Sequence, residues 1–584
     1  MKISRIRAFI WVVVLMFVSV TSCNVFDLDV NVDPNNPSQA SLELLLTNVQ
    51  LNASSTFAGG LNTATSGFLG HTDSFDRFNM LNGDWNGTWN FLYYNPLNDL
   101  ERLVAAATEQ GNVPHTLGVA QVMKAYYFSL MVDLWGAVPY FEAFKGDQGN
   151  KSPVYTSGSD IYADLIKLCD AAVANFNTTS TARVKGDVIY DNGALSTSQA
   201  TQIARWRRAA KSLKLRLLLQ TRGVGGAVVT TEIQKLVTEG DLILSGADDF
   251  QFKFGRLQNP DDRHPWYISG YSGGEAGFNY FGHQLMFEML KNKDPRTPFY
   301  FKRQTATKLN PDDPTDKQTT PCSQRDDCFY GYFVANPTIT QALFGKAPAA
   351  LDATQTAYLA GFFGRDRSDP SGVPNDNPIR TTVGAYPAAG LFDDVAELGG
   401  GNKGTGDGIF PMITSWMVKF YILEAKLSLG VSNSFASESE LLKSALTDQV
   451  NKVFAVGVAA DGSATSNVSN WPTLYKWPIT YKTQTAFVDD VAASYPVAGG
   501  TSTKLNYVLK QAWFANFGNG FEIYNAFRRT GFPNDLQAPL QRQRQFALRL
   551  PYAQDELNLN QNTPAVVFDS PSDAVFWDVL KFQF

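Results

Sequence analysis

The sequence predicts an all-α protein in which paired helices form one body that carries a large irregular, loop-rich region. Three observations predict it. Apolar residues recur at spacings of three and four along several long stretches. Between 84 and 244 those stretches follow one another through short turns, in the manner of helix–turn–helix solenoid repeats. From about 246 to 410, Pro, Gly, Asp and aromatic residues displace the helical pattern, as in NPDDPTDKQTTPC and ELGGGNKGTGDG. Hydrophobic residues make up 44% of the chain, enough for a large core, so global disorder is excluded.

At the N-terminus, Lys2, Arg5 and Arg7 precede an uninterrupted apolar run from Ala8 to Val20. That run is too short to span a ~30 Å hydrocarbon layer comfortably, but it suits the core of a signal peptide. Val20-Thr21-Ser22-Cys23 follows, and small residues before a cysteine resemble the lipobox of bacterial lipoproteins. Residues 1–22 are therefore read as a lipoprotein signal peptide, with Cys23 as the lipidated residue. Residues 23–39, acidic and rich in Asn and Pro, are read as a tether. The expected body, 40–584, is a single domain. Helical repeats span about 40–245 and 411–457, the loop-rich insertion lies at about 246–410, and a C-terminal part covers 458–584.

Helices are expected near 40–52, 84–109, 116–134, 159–176, 204–221, 230–244, 277–291, 412–429, 437–455, 505–517 and 519–529. Leu117, Ala120, Met123, Tyr127, Leu130 and Leu134 form an apolar stripe, as do Ile413, Trp416, Met417, Phe420, Leu423 and Leu427. Both are read as amphipathic, with a polar face opposite. Cys169, within IYADLIKLCDAAV, is read as a buried thiol. Cys322 and Cys328 are read as a small disulfide-closed loop, against two free thiols.

Net charge is −6, with no basic block beyond the extreme N-terminus, so a nucleic-acid role lacks its electrostatic footprint. With four His and no H-E-x-x-H, zinc protease chemistry is unsupported. Gly270-Tyr271-Ser272-Gly273-Gly274 fits Gly-x-Ser-x-Gly, but His283 follows closely with no Asp between, and the sequence after the motif is a poor helix start. Asp312, Asp313 and Asp316 are the one candidate Ca²⁺ cluster; the EF-hand spacing is absent, and no cofactor or metal is predicted.

Several segments carry a resemblance. They are LDVNVDPNNPS after Cys23, AYYFSLMVDLWGAVPYFEAF (125–144), RWRRAAKSLKLRLLLQTRG (205–223), KDPRTPFYF (293–301), FYILEAKLSLG (420–430), FEIYNAFRRTGFP (521–533) and LRLPYAQDELNLNQN. Together, and in this order, they resemble the SusD/RagB family of nutrient-binding outer-membrane lipoproteins of Bacteroidetes, in its divergent branch. The resemblance implies a tetratricopeptide-like helical scaffold topped by ligand-binding loops, with no enzymatic activity. It implies a cell-surface, lipid-anchored protein that captures glycans and delivers them to a SusC-like TonB-dependent transporter. A peptide ligand is the alternative within that system, and an all-α glycoside hydrolase is the alternative from another class.

A glycan binder wants aromatic faces flanked by polar side chains. Trp266, Tyr267 and Tyr271 in the 263–281 stretch are the leading candidates, with Tyr386 on a further loop. Trp85 and Trp89 share one helix face, and Asp73, Arg77 and Asn79 precede them. The turn after Asp133 is read as structural: Gly136 and Pro139 stop the helix, and Asp133 is expected to accept from the turn's amides.

Overall fold

Ser41 opens the first helix, α1 (Leu42–Thr56), by accepting a hydrogen bond from the amide of Leu44. Ser157, Ser198 and Ser437 start later helices in the same way. The structure, a computed structural model, describes residues 40–73, 85–191, 196–271, 280–303, 330–369, 381–394, 404–540 and 545–582. After α1 a π-helical turn, Phe57–Leu61, leads into α2 (Asn62–Phe68) and the two-residue strand β1 (Thr72–Asp73). The helix expected over 84–109 is two helices, α3 (Asn86–Tyr94) and α4 (Pro96–Gln110). Pro96 has no N–H to continue α3, but its fixed φ suits the first position of a new helix.

The helical body continues with α5 (Pro114–Trp135), β2 (Val138–Pro139) paired with β3 (Tyr155–Thr156), α6 (Gly158–Asn177), α7 (Gln199–Gln220) and α8 (Arg222–Glu239). Each long helix packs on the next, α4 on α5, α5 on α6, α6 on α7 and α7 on α8, while α1 packs on α4. The chain leaves this body at β4 (Phe250–Lys253). The strand paired with β4 is the one by which it returns, β8 (Ile409–Ile413). The 254–408 excursion is thus clasped at its base by one antiparallel ladder. Between the two lie α9 (Pro265–Tyr271), β5 (Tyr280–Phe281), α10 (His283–Lys291), α11 (Thr297–Tyr300), β6 (Phe301–Lys302), α12 (Pro337–Phe344), α13 (Ala353–Ala360) and β7 (Thr382–Val383). Most of these helices are absent from the sequence expectation because eight or fewer residues leave no readable period.

Beyond β8, α14 (Ser415–Leu429) packs on α15 (Glu438–Ala460) and α7, α17 (Gln484–Ala493) on α15, and α18 (Thr501–Ala515) on α14; the short α16 is Trp471–Leu474. Helix α19 (Gly520–Thr530) packs on α2, and α20 (Gln554–Leu559) follows. The C-terminal segment returns to α5, where the Leu550 amide donates to the Leu134 carbonyl at 2.6 Å.

Two readings are corrected at the centre. Helix α5 is not amphipathic: nearly all of its residues are buried, and so is α14 from Ser415 to Ala425. Polar positions that suggested a solvent face point into the core, where Asp133, Lys419 and Glu424 are paired. Asp133 does not bind its own turn; it accepts from Arg216 at 3.0 Å, Asn525 at 2.7 Å, Trp577 at 3.1 Å and the Tyr162 hydroxyl. Arg216 also donates to Glu522 at 2.5 Å, and Tyr421 donates to the other oxygen of Glu522 at 2.5 Å. Arg529 makes a two-pronged bond to Glu424 at 2.8 Å and 2.8 Å, with Arg222 at 2.9 Å. Burial alone would raise the Glu424 carboxyl, but Arg529 and Arg222 hold it below the usual range. A buried ion pair gives little net stability, yet removing one partner strands the other's charge.

Cys169 is buried in α6, and burial pushes its thiol well above the usual range. Cys23, Cys322 and Cys328 lie outside the described residues. Among the described residues no helix is long and apolar enough to cross a membrane.

Candidate functional site

The irregular segments attach at one junction. Asp73 pairs with Tyr280 across β1 and β5, and its carboxylate accepts from the Ser368 amide at 2.9 Å. The Arg303 guanidinium and amide bind Asp393 at 2.6 Å and 3.0 Å, beside the β6–β7 pair. The Thr381 amide donates to Phe363, and the Tyr271 hydroxyl donates to Val383 at 2.5 Å.

Beneath it is a charged floor that no sequence signal marks. Arg365, Asp366, Arg367, Ser368 and Asp369 are all buried. The Arg365 guanidinium lies 4.6 Å from the centre of the Tyr280 ring, and Arg367 donates to the carbonyls of Gln537, at 3.1 Å, and Phe68. Burial pushes the Asp73 carboxyl up to about 7, although the Ser368 amide, Arg365 and Arg367 pull it down. Nearby, burial lowers the His71 imidazole to about 3, and His264 likewise to about 3, so both rings are neutral.

The leading sequence-predicted rings turn inward, which corrects their reading as free loop platforms. Trp266 is buried and its indole donates to Thr63 at 2.9 Å. Tyr267 and Tyr271 are buried and stack on each other at 5.0 Å, and Tyr386 is fully buried against Tyr300. Each ring's faces are taken by protein, because the excursion must bury its own aromatics to pack on the scaffold. Trp89 is also buried, edge-on to Trp135 at 5.2 Å. Trp85 is different. It is half-buried over Gly60, precedes α3 with a left-handed backbone (φ 47°), and its indole N–H has no hydrogen-bond partner among the described residues. A bulky residue at positive φ is a strained placement that the surroundings must hold. Arg77, Asn79, Asp312, Asp313 and Asp316 lie outside the described residues, and no group of three potential metal ligands converges among those described.

Two family models match the sequence. One, described as starch-binding and associating with the outer membrane, covers residues 34–326. The other, described as SusD and RagB outer membrane lipoprotein, covers 447–569.

The chain belongs to the SusD/RagB family.

Solved structures agree in fold. A SusD-like protein from Bacteroidetes AC2a superposes with a TM-score of 0.63 at 17% identity, over 92% of this chain and 100% of that one. A SusD/RagB family protein from Bacteroides thetaiotaomicron gives 0.61 at 17% identity, over 90% and 95%. A chitin-binding SusD homologue from Flavobacterium johnsoniae gives 0.58 at 16% identity, over 94% and 98%. No curated protein matches the sequence. At these identities the likeness is one of architecture, the all-α SusD-like scaffold.

Among the described residues, the SusD-like signature segments are scaffold. Arg296 of Asp294-Pro295-Arg296 is buried, donates to Asp294 at 2.5–3.1 Å and to Gln449 at 2.8 Å, and so joins the excursion to α15. Arg528 and Arg529 lie in the last turn of α19 and serve buried acceptors: Leu548 and Asp133 carbonyls for Arg528, Glu424 for Arg529. In the closing segment Arg549 donates to the Trp135 carbonyl, and Glu556 accepts from Tyr155 at 2.8 Å.

Proposed function

We propose that this SusD-like protein is a non-catalytic, cell-surface lipoprotein that binds glycan at the loop-bearing junction and passes it to a SusC-like TonB-dependent transporter. Lipidation of Cys23 would hold it to the outer membrane, with more than one acyl chain for stable anchoring. Family membership supports the glycan reading, since the matching model is described as starch-binding and a fold relative as chitin-binding. The observation that carries the site is Trp85: a half-buried ring beside Gly60, held at a left-handed backbone position at the start of α3. A sugar ring stacks its C–H face on the exposed part of such a ring. On sequence grounds Asp73, Arg77 and Asn79 supply the polar groups around it. The buried state of Asp73 makes it a holder of the floor more than a direct ligand.

Calorimetric titration of the mature chain with a panel of neutral oligosaccharides tests this. Binding of at least one α- or β-linked hexasaccharide is expected, weakened at least tenfold by Trp85→Ala with little change in melting temperature. Undiminished binding by that variant removes the site. Preference for peptides over every glycan supports the peptide alternative, and release of sugar products makes the protein a hydrolase.

A further inference from the structure

A cleft lies on the helical scaffold, walled in part by α3, the helix that Trp85 precedes. It has a volume of about 720 Å³ and is bounded by α3, α4, α5, α6 and the 140–148 loop after β2. That volume falls within the range of small-molecule sites, roughly 300–1,000 Å³. Its rings are Tyr93, Phe144, Tyr140 and Phe141. Tyr93 and Phe144 are half-buried and stacked at 5.8 Å, and Phe141 stands 52% exposed, edge-on to Tyr140 at 4.9 Å. An exposed Phe beside a cleft is what the junction's buried rings lack.

Phe144 holds a left-handed backbone (φ 60°), an uncommon placement for a bulky side chain. Such strain persists where surrounding structure fixes it, and it concentrates at ligand sites. Tyr93 is fixed too, its hydroxyl donating to the Pro139 carbonyl at 2.9 Å. The aromatic wall is therefore preorganised.

Charge selects the ligand class. The lining holds three carboxylates, Glu101, Asp147 and Asp164, and three cations, Arg102, Lys124 and Lys145. Lys124 pairs with Glu101 and lies 4.9 Å from the centre of the Tyr140 ring; the Tyr140 hydroxyl donates to Asp164 at 2.7 Å; Lys145 pairs with Glu142 at 3.1 Å. With its charges balanced and largely matched, the cleft has no net attraction for an anion or a cation. What it offers is flat apolar surface bordered by paired polar groups and by the side-chain amides of Asn98 and Gln148, which can turn toward a ligand.

We propose that this cleft is a second saccharide subsite, taking a neutral segment of a few sugar units with a C–H face on Phe141. The inference rests on the glycan reading above. It makes the protein a two-point binder: one long chain engages the junction and the scaffold cleft together, and its apparent affinity exceeds either alone through effective concentration.

The experiment titrates the full mature chain, its Phe141→Ala and Trp85→Ala variants and the double variant. The probes are neutral hexasaccharides of glucose, N-acetylglucosamine, mannose and galactose, with amide hydrogen exchange followed over 138–148. For a hexasaccharide that binds, Phe141→Ala is expected to abolish one of two binding events, or weaken it at least tenfold. Exchange at 138–148 should slow on adding sugar to the Trp85→Ala protein. Phe141 is exposed, so the variant is expected to fold; Gln148→Ala provides a second, milder lesion at the same cleft. If Phe141→Ala and Gln148→Ala bind as the parent does and 138–148 is unprotected, the subsite is refuted while the junction reading stands. The subsite is refuted equally if Phe141→Ala disturbs only co-purification with the transporter barrel. If the parent binds no sugar in the panel, both readings fall.

Discussion

Asp73 carries its proton at a pH where a free aspartate has lost it. An unperturbed carboxyl ionises near 3.8, whereas this one ionises at about 7, chiefly because burial penalises the charge. Between those values the native state holds a proton that the unfolded chain has released. Stability from this group is therefore complete below about pH 3.8 and is lost as pH rises toward 7, by about 1.4 kcal/mol per unit. Asp73→Asn has no proton to lose. Its stability relative to the parent should climb from about pH 4 to about pH 7 and then level, in urea denaturation at a series of pH values. A gap that does not change with pH would sink the assignment. His71 and His264 act the other way, costing stability as pH falls below 6.5 toward about 3, but they are common to both proteins and cancel in the difference. At this scale the sequence is a partial guide. It singles out Asp73 and Trp85 by position, yet it ranks Trp266, Tyr267 and Tyr271 above them. Composition does not show which side of a loop ring faces the scaffold, and a hydrogen bond such as Trp266 to Thr63 spans 203 residues.

Helices with three or more turns are legible, and their ends less so. Ser157 and Ser198 cap α6 and α7 by accepting the third amide of each helix, and α7 begins at Gln199, ahead of the start expected near 204. Pro96 does not stand out as a boundary because the apolar pattern runs on across it. The stripes of α5 and α14 read as one-sided, since Asp133, Lys419 and Glu424 imply water until their partners on other helices are known. Helix-to-helix fit is not legible at all. Gly118 sits where α5 meets α6, and a Cβ there would approach the Phe176 ring to 2.7 Å. Gly118→Ala should therefore cost about 1–3 kcal/mol through overpacking, although alanine is the better helix former. Phe176→Leu in the same chain should restore part of the loss, as a double-mutant cycle would measure. Additive losses would show that the two side chains do not meet.

Across the whole molecule, the buried charges connect segments far apart in sequence. Asp133 is held by Arg216, by Asn525 at a separation of 392 residues, and by Trp577 at a separation of 444. The family resemblance makes this architecture legible in outline, but the network is invisible because each member looks like an ordinary surface residue. Trp577→Phe keeps an aromatic side chain but removes the indole donor to Asp133 together with part of the buried ring volume. It should cost about 1–3 kcal/mol, seen as a lower urea midpoint with an unchanged slope, and no loss at all would mean that the carboxylate is satisfied without it. Because Trp577 reaches Asp133 across 444 residues of sequence, the closing segment is tied to α5 of the helical body by a buried donor, so loosening either one is felt by the other.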